Sequence, residues 1–269
     1  MVFMNNPITI AIDAMGGDDS PNKVLEGISF HSKLSKNVKY KIFGNTNLIK
    51  PLIKKYNIPN ERFTLKHTEK VVEGEDSALS AAKKGKDTSL WLAVESLKNN
   101  ETDAIVSAGN TGALFLISKL NLKMIKNIDK PALSALWPSK KNMNVVLDLG
   151  ANIECNVKNL VDFSIMGSAL LKALFPNEIA NVALLNIGSE ELKGNAMIKE
   201  TYQFLNENNY SLFDFKGYIE GNNIMEGNVN VIVADGFTGN IALKTAEGTS
   251  NFIINELKKA LTSSTLGKL

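Results

Sequence analysis

The sequence predicts an α/β fold built on a mainly parallel sheet. Two observations predict it. Apolar strand-like segments alternate with helix-like segments, and five of the strands run directly into glycine and small polar residues. Strands that alternate with helices form parallel sheets covered by helices. A chain of 269 residues can bury a sizeable core, either as one large α/β unit or as two lobes.

The most informative of the five strands covers residues 182–187 and ends at Gly188. Ser189 follows and suits the N-cap of a helix, so we expect a helix to start there. Free N–H groups at a helix start attract anions. Lys193 adds positive charge nearby, whereas the two glutamates between Ser189 and Lys193 oppose an anion. The stretch therefore predicts an anion site that depends on the lysine.

The same design occurs four more times along the chain. These strands cover residues 8–12, 104–106, 145–147 and 229–233, and the turns after them contain Asp13, Asn110, Asp148 and Asp235. In a parallel sheet the strand C-termini share one edge, and ligands bind in the crevice there. We therefore expect all five polar turns to converge on one cleft.

Local signals place the remaining elements. Pro21 at a first helical position and Asn45 at an N-cap predict helix starts, and Pro138 and Pro176 predict ends of elements. Segment 71–86 is polar and lysine-rich, which predicts a loop with one or two helical turns. Apolar periodicity predicts helices over 21–34, 46–56, 89–97, 113–120, 157–175, 197–205 and 240–261, and strands over 38–43, 63–67, 132–137 and 216–220.

Composition excludes several classes of protein. The net charge of +2 does not favour nucleic acid binding, and Arg62 is the only arginine, so lysines and backbone N–H groups must bind any phosphate. Cys155 is the only cysteine, which rules out an intramolecular disulfide and makes a zinc site improbable. We find no secretion signal and no apolar segment of about 20 residues, so we expect a cytoplasmic protein.

The last predicted helix, 240–261, is amphipathic and should protrude. Phe252, Ile253 and Leu257 form an apolar cluster in its second half, beside two lysines. This pattern suits a tip that lies in an anionic membrane interface. Apolar stripes at helical spacing are more often packed, so a helix at a dimer interface is the alternative. The two interpretations are compatible.

Four of the glycine turns resemble the motifs of a known family. Residues 13–18 (DAMGGD), 107–112 (SAGNTG), 147–152 (LDLGAN) and 234–240 (ADGFTGN) look like those of the bacterial fatty acid/phospholipid synthesis phosphate acyltransferases. The match covers essentially the whole chain in the right order. Two features depart from the family: Ala78 and Lys83 stand where it usually carries proline and arginine, and family members generally continue past the position of Leu269.

The resemblance implies both a fold and an activity. The fold is a three-layer α/β/α sandwich similar to the phosphotransacetylases and isopropylmalate dehydrogenases, with residues 1–269 as a single acyltransferase unit whose family C-terminal part is absent. The activity converts a long-chain acyl-[acyl-carrier-protein] and inorganic phosphate into acyl phosphate, for phospholipid biosynthesis. No metal or organic cofactor is implied.

The resemblance also implies partners. These are acyl carrier protein, inorganic phosphate, a second copy in a homodimer and the cytoplasmic face of the membrane, where a glycerol-3-phosphate acyltransferase would take the product. Nucleic acid is not among them. Acyl carrier proteins are acidic, so we expect lysines to dock them in a salt-dependent manner.

The expected catalytic residues are Lys193 and Asn240, whose positions match family residues thought to act in catalysis. Lys193 would hold phosphate or neutralise the oxyanion, and Asn240 would donate its amide N–H to the carbonyl. The alternatives are a surface lysine and a helix-capping asparagine. The substrate or phosphate site would use turn residues, which equally suit turn formation and capping: Asp13, Gly16, Gly17, Asn110, Thr111, Asp148, Gly150, Asn152, Gly188, Asp235, Gly236 and Gly239.

Three other functions remain as alternatives. A phosphotransacetylase that acts on short-chain acyl-CoA would share the fold, but it would lack an apolar channel for a long chain. A non-catalytic membrane-associated scaffold would not need a polar cleft. A nicotinamide-dependent dehydrogenase rests on fold analogy alone, because none of the turns reads Gly-x-Gly-x-x-Gly.

Overall fold

The computed structural model describes residues 7–263 and confirms the α/β fold. The chain divides into two compact units between Met124 and Ile125, each with its own sheet. Our expectation of one sheet with one shared edge for all five turns is therefore wrong. The reason is strand pairing: the strand that follows the first unit pairs with the next strand in sequence, not with the first sheet.

The first unit contains a four-stranded, fully parallel sheet in the order β3-β2-β1-β4. Helices connect the strands, and a short 3-10 turn precedes β3. The elements are β1 (Ile8–Asp13), α1 (Asn22–Leu34), β2 (Val38–Gly44), α2 (Thr46–Lys55), β3 (Phe63–His67), α3 (Ala78–Lys83), α4 (Ser89–Lys98), β4 (Ala104–Ser107) and α5 (Thr111–Asn121).

Helices cover both faces of this first sheet. On one face, Leu25 of α1 and Ile49 of α2 pack against Ile42 of β2. On the other face, Ala93 of α4 packs against Phe43 of β2, and α4 continues into a smaller cluster with α3 and α5. The unit is a three-layer α/β/α sandwich, and the turns after β1 and β4 lie at neighbouring strand ends.

The second unit contains a five-stranded sheet in the order β5-β6-β9-β7-β8. Only β5 is antiparallel, and it lies at one edge beside β6. A 3-10 segment, Gly221–Glu226, leads into β9. The elements are β5 (Ser134–Pro138), β6 (Met143–Leu147), α6 (Val157–Leu174), β7 (Ala180–Asn186), α7 (Ala196–Glu207), β8 (Phe213–Glu220), β9 (Val231–Val233) and α8 (Gly236–Thr262).

The second sheet is also covered on both faces. Side chains that alternate along β6, β7 and β9 divide into two clusters, as the period of two requires. Val145, Val182 and Val231 face α6 and α7, where Phe163 is fully buried. The next residues along these strands, Val146, Ala183 and Ile232, face the other way and pack against Leu243 of α8. The second unit is therefore also a three-layer sandwich, with α8 the helix that packs on the second face.

The expected helix start at Ser189 is wrong. Helix α7 begins at Ala196, and the side chain of Asn195 caps it by accepting a hydrogen bond from Ile198 N. Residues 187–194 form a loop whose ends are joined by Asn186, because its amide donates to the carbonyls of Gly188 and Lys193. By contrast, the predicted cap at Asn45 is confirmed: its side chain accepts from Asn47 N.

Helix α8 leaves the body of its unit partway along its length. Ala242, Leu243 and Ala246 pack against the sheet, whereas every residue from Glu247 to Ser263 is exposed. Asp235 caps the helix, so α8 starts four residues earlier than expected and Asn240 lies inside it. Within residues 7–263, no helix combines the length and apolar character needed to cross a bilayer.

The corrected start of α7 can be tested by removing each candidate cap. Asn195→Ala should lower the free energy of unfolding by about 1 kcal/mol, the usual value of an N-cap. Ser189→Ala is the matched control and should change it by less than about 0.5 kcal/mol, as an exposed loop residue does. Urea unfolding, followed by Trp137 fluorescence in a Trp91→Phe background, reports on the second unit. Equal losses from both substitutions would contradict the assignment.

Candidate functional site

Three of the five glycine turns lie side by side in the second unit. Strand β9 lies between β6 and β7, and all three are parallel, so their C-terminal ends share one edge of the sheet. The turn after β6 carries Asp148, Gly150 and Asn152; the turn after β9 carries Asp235; the loop after β7 carries Lys193. This edge brings together nine of the predicted site residues.

Asp148 organises the turn after β6. Its carboxylate is fully buried and accepts five hydrogen bonds of 2.8–3.2 Å. The donors are the backbone N–H groups of Leu133, Gly150, Ala151 and Asn152, together with the side-chain amide of Asn152. Buried N–H donors need an acceptor, so the carboxylate fixes the backbone of this turn. Because protein groups occupy both oxygens, the geometry matches the turn-forming alternative.

Asn152 joins this turn to the next one. Its amide also donates to the carbonyl of Pro131, at 2.7 Å, and its backbone carbonyl accepts from Gly236 N, at 2.8 Å. Asp235 caps α8: its carboxylate accepts from the backbone N–H and the hydroxyl of Thr238, at 2.8 and 2.9 Å. The two turns therefore form one interlocked unit.

Close backbone contact explains the glycines in this pair of turns. A Cβ on Gly239 would overlap the carbonyl oxygen of Asp148, and a Cβ on Gly236 would lie 2.6 Å from the carbonyl oxygen of Asn152. Both positions therefore require glycine. Asn240 follows directly and is exposed. Its side chain lies over Gly150, where an added Cβ would meet Asn240 Cβ at an ordinary contact distance of 3.4 Å.

Lys193 lies in the loop after β7, on the other side of β9. Its side chain is exposed and forms no ion pair with any residue between 7 and 263. Gly188 is buried at the base of the loop, where an added Cβ would lie 2.9 Å from Lys193 Cγ and 2.7 Å from Glu190 Oε2. The loop thus presents a free ammonium group at the same sheet edge as Asn240.

The first unit holds the other two turns, at the ends of β1 and β4. Asp13 is buried and accepts a hydrogen bond of 2.8 Å from the Ser107 hydroxyl, directly opposite it in the strand register. Gly17 has a φ of +92°, and a Cβ there would overlap the carbonyl oxygen of Ala108. At Gly16 a Cβ would lie 2.6 Å from Asp13 Oδ2. The two turns therefore pack tightly against each other.

Asn110 and Thr111 start α5 beside a polar cleft of about 600 Å³ in the first unit. Asn110 caps the helix by accepting from Ala113 N, and its amide donates to the carbonyls of Gly74 and Asp76. All its strong hydrogen-bonding groups are thus used within the protein, which matches the capping alternative. Thr111 is exposed and lines the cleft.

Sequence reasoning did not assign roles to two residues that shape these sites. Ser107 and Thr238 each donate a hydroxyl hydrogen bond to a strand-end aspartate. The sequence held a signal for both, because each hydroxyl lies within one of the glycine turns. Cys155 is half-buried beside the second-unit turns, and burial raises the pKa of its thiol. A raised pKa keeps the thiol protonated and unreactive.

The three residues of the predicted membrane tip are all exposed on the free part of α8. The exposed fractions are 65% for Phe252, 50% for Ile253 and 55% for Leu257. Ile253 and Leu257 lie seven and eleven residues beyond Ala246, on the face that packs against the sheet in the first half of the helix. The apolar face therefore continues past the end of its own core.

Family and sequence comparisons show which known proteins this chain resembles. The model of a family described as fatty acid synthesis protein matches residues 8–269. A relative from Pelagibacter ubique (strain HTCC1062), named phosphate acyltransferase, is 64% identical over 99% of this chain and 79% of its own length. A second one with that name, from Maricaulis maris (strain MCS10), is 45% identical over 97% of this chain and 75% of its own.

Solved structures share the fold at low sequence identity. A phosphotransacetylase from Streptococcus pyogenes gives a TM-score of 0.63 at 16% identity, over 91% of this chain and 82% of its own. The EutD phosphotransacetylase from Staphylococcus aureus gives 0.61 at 14% identity, over 91% and 83%. These similarities confirm the expected fold class and, at such identities, the fold alone.

The structural role of Asp148 predicts a large loss of stability. Asp148→Ala should lower the free energy of unfolding of the second unit by about 3 kcal/mol or more, because it leaves buried N–H groups without an acceptor. Asp235→Ala is the matched control and should cost only about 1 kcal/mol, as a lost N-cap does. Urea unfolding monitored by Trp137 in a Trp91→Phe background measures both. Similar costs for the two variants would contradict the central role of Asp148.

Proposed function

This chain belongs to the fatty acid synthesis protein family, and we propose that it is a phosphate acyltransferase that moves a long fatty acyl group from acyl carrier protein to inorganic phosphate. The observation that carries the proposal is the alignment of nearly the whole chain with relatives named phosphate acyltransferase. The product, an acyl phosphate, would serve phospholipid synthesis. The phosphotransacetylase structures are too distant in sequence to favour short-chain acyl-CoA as the substrate.

In the proposed reaction, an oxygen of phosphate attacks the carbonyl carbon of the thioester. A tetrahedral intermediate forms with negative charge on the former carbonyl oxygen. The carbon–sulfur bond then breaks, the carbonyl re-forms, and the carrier protein leaves as a thiol after it takes a proton. Since phosphate itself is the nucleophile, no serine or cysteine needs to be activated. The raised pKa of the Cys155 thiol is consistent with this.

We assign the developing negative charge to Lys193 and Asn240. Lys193 has an exposed ammonium group without an ion-pair partner among the described residues, so it is available to hold phosphate or to neutralise the oxyanion. Asn240 is exposed over Gly150 and can donate an amide N–H to the carbonyl oxygen. Fixed donors of this kind stabilise such transition states strongly. The interlocked turns keep Asn240 in place.

We further propose that the glycine turns of both units serve substrate binding, so that residues 1–269 act as one acyltransferase unit. Exposed Thr111, beside the polar cleft of the first unit, is the most accessible of these donors. Lysines would dock the acidic carrier protein, because the chain has only one arginine. The enzyme would work as a homodimer in the cytoplasm, against the membrane that holds the glycerol-3-phosphate acyltransferase.

The free half of α8 supports a membrane contact. Its apolar side chains point to more than one side, because Phe252 is about 100° around the helix from Ile253. A second copy that packs on the face of Ile253 and Leu257 would leave Phe252 exposed. Lys258 and Lys259 lie beside the apolar cluster, where they suit anionic lipid headgroups. We therefore assign Phe252 to lipid, and Leu257 to the interface between copies.

The catalytic assignment predicts a severe loss on removal of the lysine. Lys193→Ala should lower turnover at least about 100-fold, the scale of a lost oxyanion donor. The measurement is phosphate-dependent release of carrier-protein thiol from long-chain acyl carrier protein. Lys199→Ala, which changes a half-buried lysine of α7, is the matched control and should retain turnover. A folded Lys193→Ala variant with near wild-type turnover would remove Lys193 from the site.

The membrane assignment predicts separable effects at the tip of α8. Phe252→Asp should lower binding to anionic liposomes at least about tenfold, since burial of one large apolar side chain contributes roughly 1.5–3 kcal/mol. Thr249→Asp adds the same charge to the same exposed segment and should have a much smaller effect. Co-sedimentation measures binding, and analytical ultracentrifugation measures the oligomer. If Phe252→Asp still binds liposomes but becomes monomeric, its place is in the interface instead.

A further inference from the structure

We propose that Tyr202 holds the carboxylate of Glu191 away from Lys193 and thereby keeps the lysine available to phosphate. The proposal rests on the function proposed above for Lys193. Glu191 lies two residues before Lys193 in the loop of residues 187–194. The Tyr202 hydroxyl donates a hydrogen bond of 3.1 Å to Glu191 Oε1. Tyr202 would thus be a positioning residue that acts on the site through charge.

The loop has few other restraints. Among residues 7–263, the hydrogen bonds that reach it from outside come from the amide of Asn186, at its base, and from Tyr202. Within the loop, Lys193 N donates to the carbonyl of Glu190. Leu192 is 86% exposed, so its side chain does not anchor the loop in a core. The position of the Glu191 carboxylate therefore depends on Tyr202.

The ring of Tyr202 is itself held by the sheet. It lies 4.8 Å from the ring of Tyr218 and 5.6 Å from that of Phe215, both on β8. These two residues face α7 together because an irregularity in the pairing of β7 with β8 inserts an extra residue between them, where Gly217 has a φ of +81°. The rings form a platform that fixes the direction of the Tyr202 hydroxyl.

The pKa values of the Tyr202 and Tyr218 hydroxyls are both raised, as a nearby negative charge would raise them. Burial raises the pKa of Tyr202, and the hydrogen bond to Glu191 raises it further. The pKa of Tyr218 is raised by burial and then by Tyr202 and Glu191. The Tyr218 hydroxyl is buried and has no hydrogen-bond partner among the described residues, so it is a second donor within the field of the same carboxylate.

Release of this tether would have an electrostatic cost. A free Glu191 carboxylate could form an ion pair with Lys193 and would repel phosphate at the same loop. Exposed ion pairs are worth up to about 1 kcal/mol, so phosphate affinity would fall about fivefold. Saturating phosphate would displace the carboxylate from Lys193. The effect should therefore appear in KM for phosphate and not in kcat.

The test compares the KM for phosphate in three variants with that of the unmodified chain. Tyr202→Phe keeps the ring and removes the hydroxyl, and we expect KM to rise about fivefold with kcat nearly unchanged. The double variant Tyr202→Phe/Glu191→Gln removes the released charge and should restore KM. Tyr210→Phe is the matched control: this tyrosine stacks on Phe213 in the same unit and should leave KM unchanged.

The other possible results distinguish a charge effect of Tyr202 from a purely structural role. A purely structural role for Tyr202 would lower kcat or the unfolding midpoint, and the second substitution would not restore them; that result overturns the proposal, as does an unchanged KM in Tyr202→Phe. The effect on KM should also shrink in high salt, which screens exposed charges. If Lys193→Ala itself retains full turnover, the proposed function of the lysine fails first, independently of Tyr202.

Discussion

The buried carboxylate of Asp148 is the constraint on which the second unit's site depends. Five N–H donors converge on it, and the residue is fully buried. The carboxylate fixes the turn after β6, and Asn152 connects that turn to the start of α8. Asn240 then follows in the first turns of the helix. A fully buried carboxylate thus fixes the turns from which an exposed amide projects.

Much of this could be predicted from the sequence, because local signals determine it. Every predicted strand is present, and the caps at Asn45 and the polar turns follow from side chains that bond their own neighbourhood. The division into two sheets could not be predicted, because it depends on β5 pairing with β6 across a turn instead of extending the first sheet.

The start of α7 was ambiguous for a similar reason. Ser189 and Asn195 are both good caps, and the helix begins after Asn195, from where Ile198 and Leu205 bury against the sheet.

Arginine is scarce in this chain, which limits how phosphate can be bound. With one arginine in the chain, and that one bonded to the carbonyls of Ser35 and Lys36, phosphate recognition falls to lysines and backbone groups. A lysine is a mobile point charge, so its surroundings must keep competing carboxylates away. The loop that carries Lys193 also carries two glutamates, and the contact with Tyr202 restrains one of them. The loop that carries Lys193 is therefore connected to α7 and β8 through Tyr202, just as the turns near Asn240 are connected through Asp148.

The proposed reaction transfers an acyl group from a carrier-protein thioester to phosphate. Mass spectrometry of the product formed from long-chain acyl carrier protein and oxygen-18-labelled phosphate tests it most directly. Attack by phosphate on the carbonyl carbon predicts an acyl phosphate that retains every labelled oxygen, with one free thiol released per product molecule and none released without phosphate. Release of unlabelled free fatty acid at the same rate with and without phosphate would contradict the account.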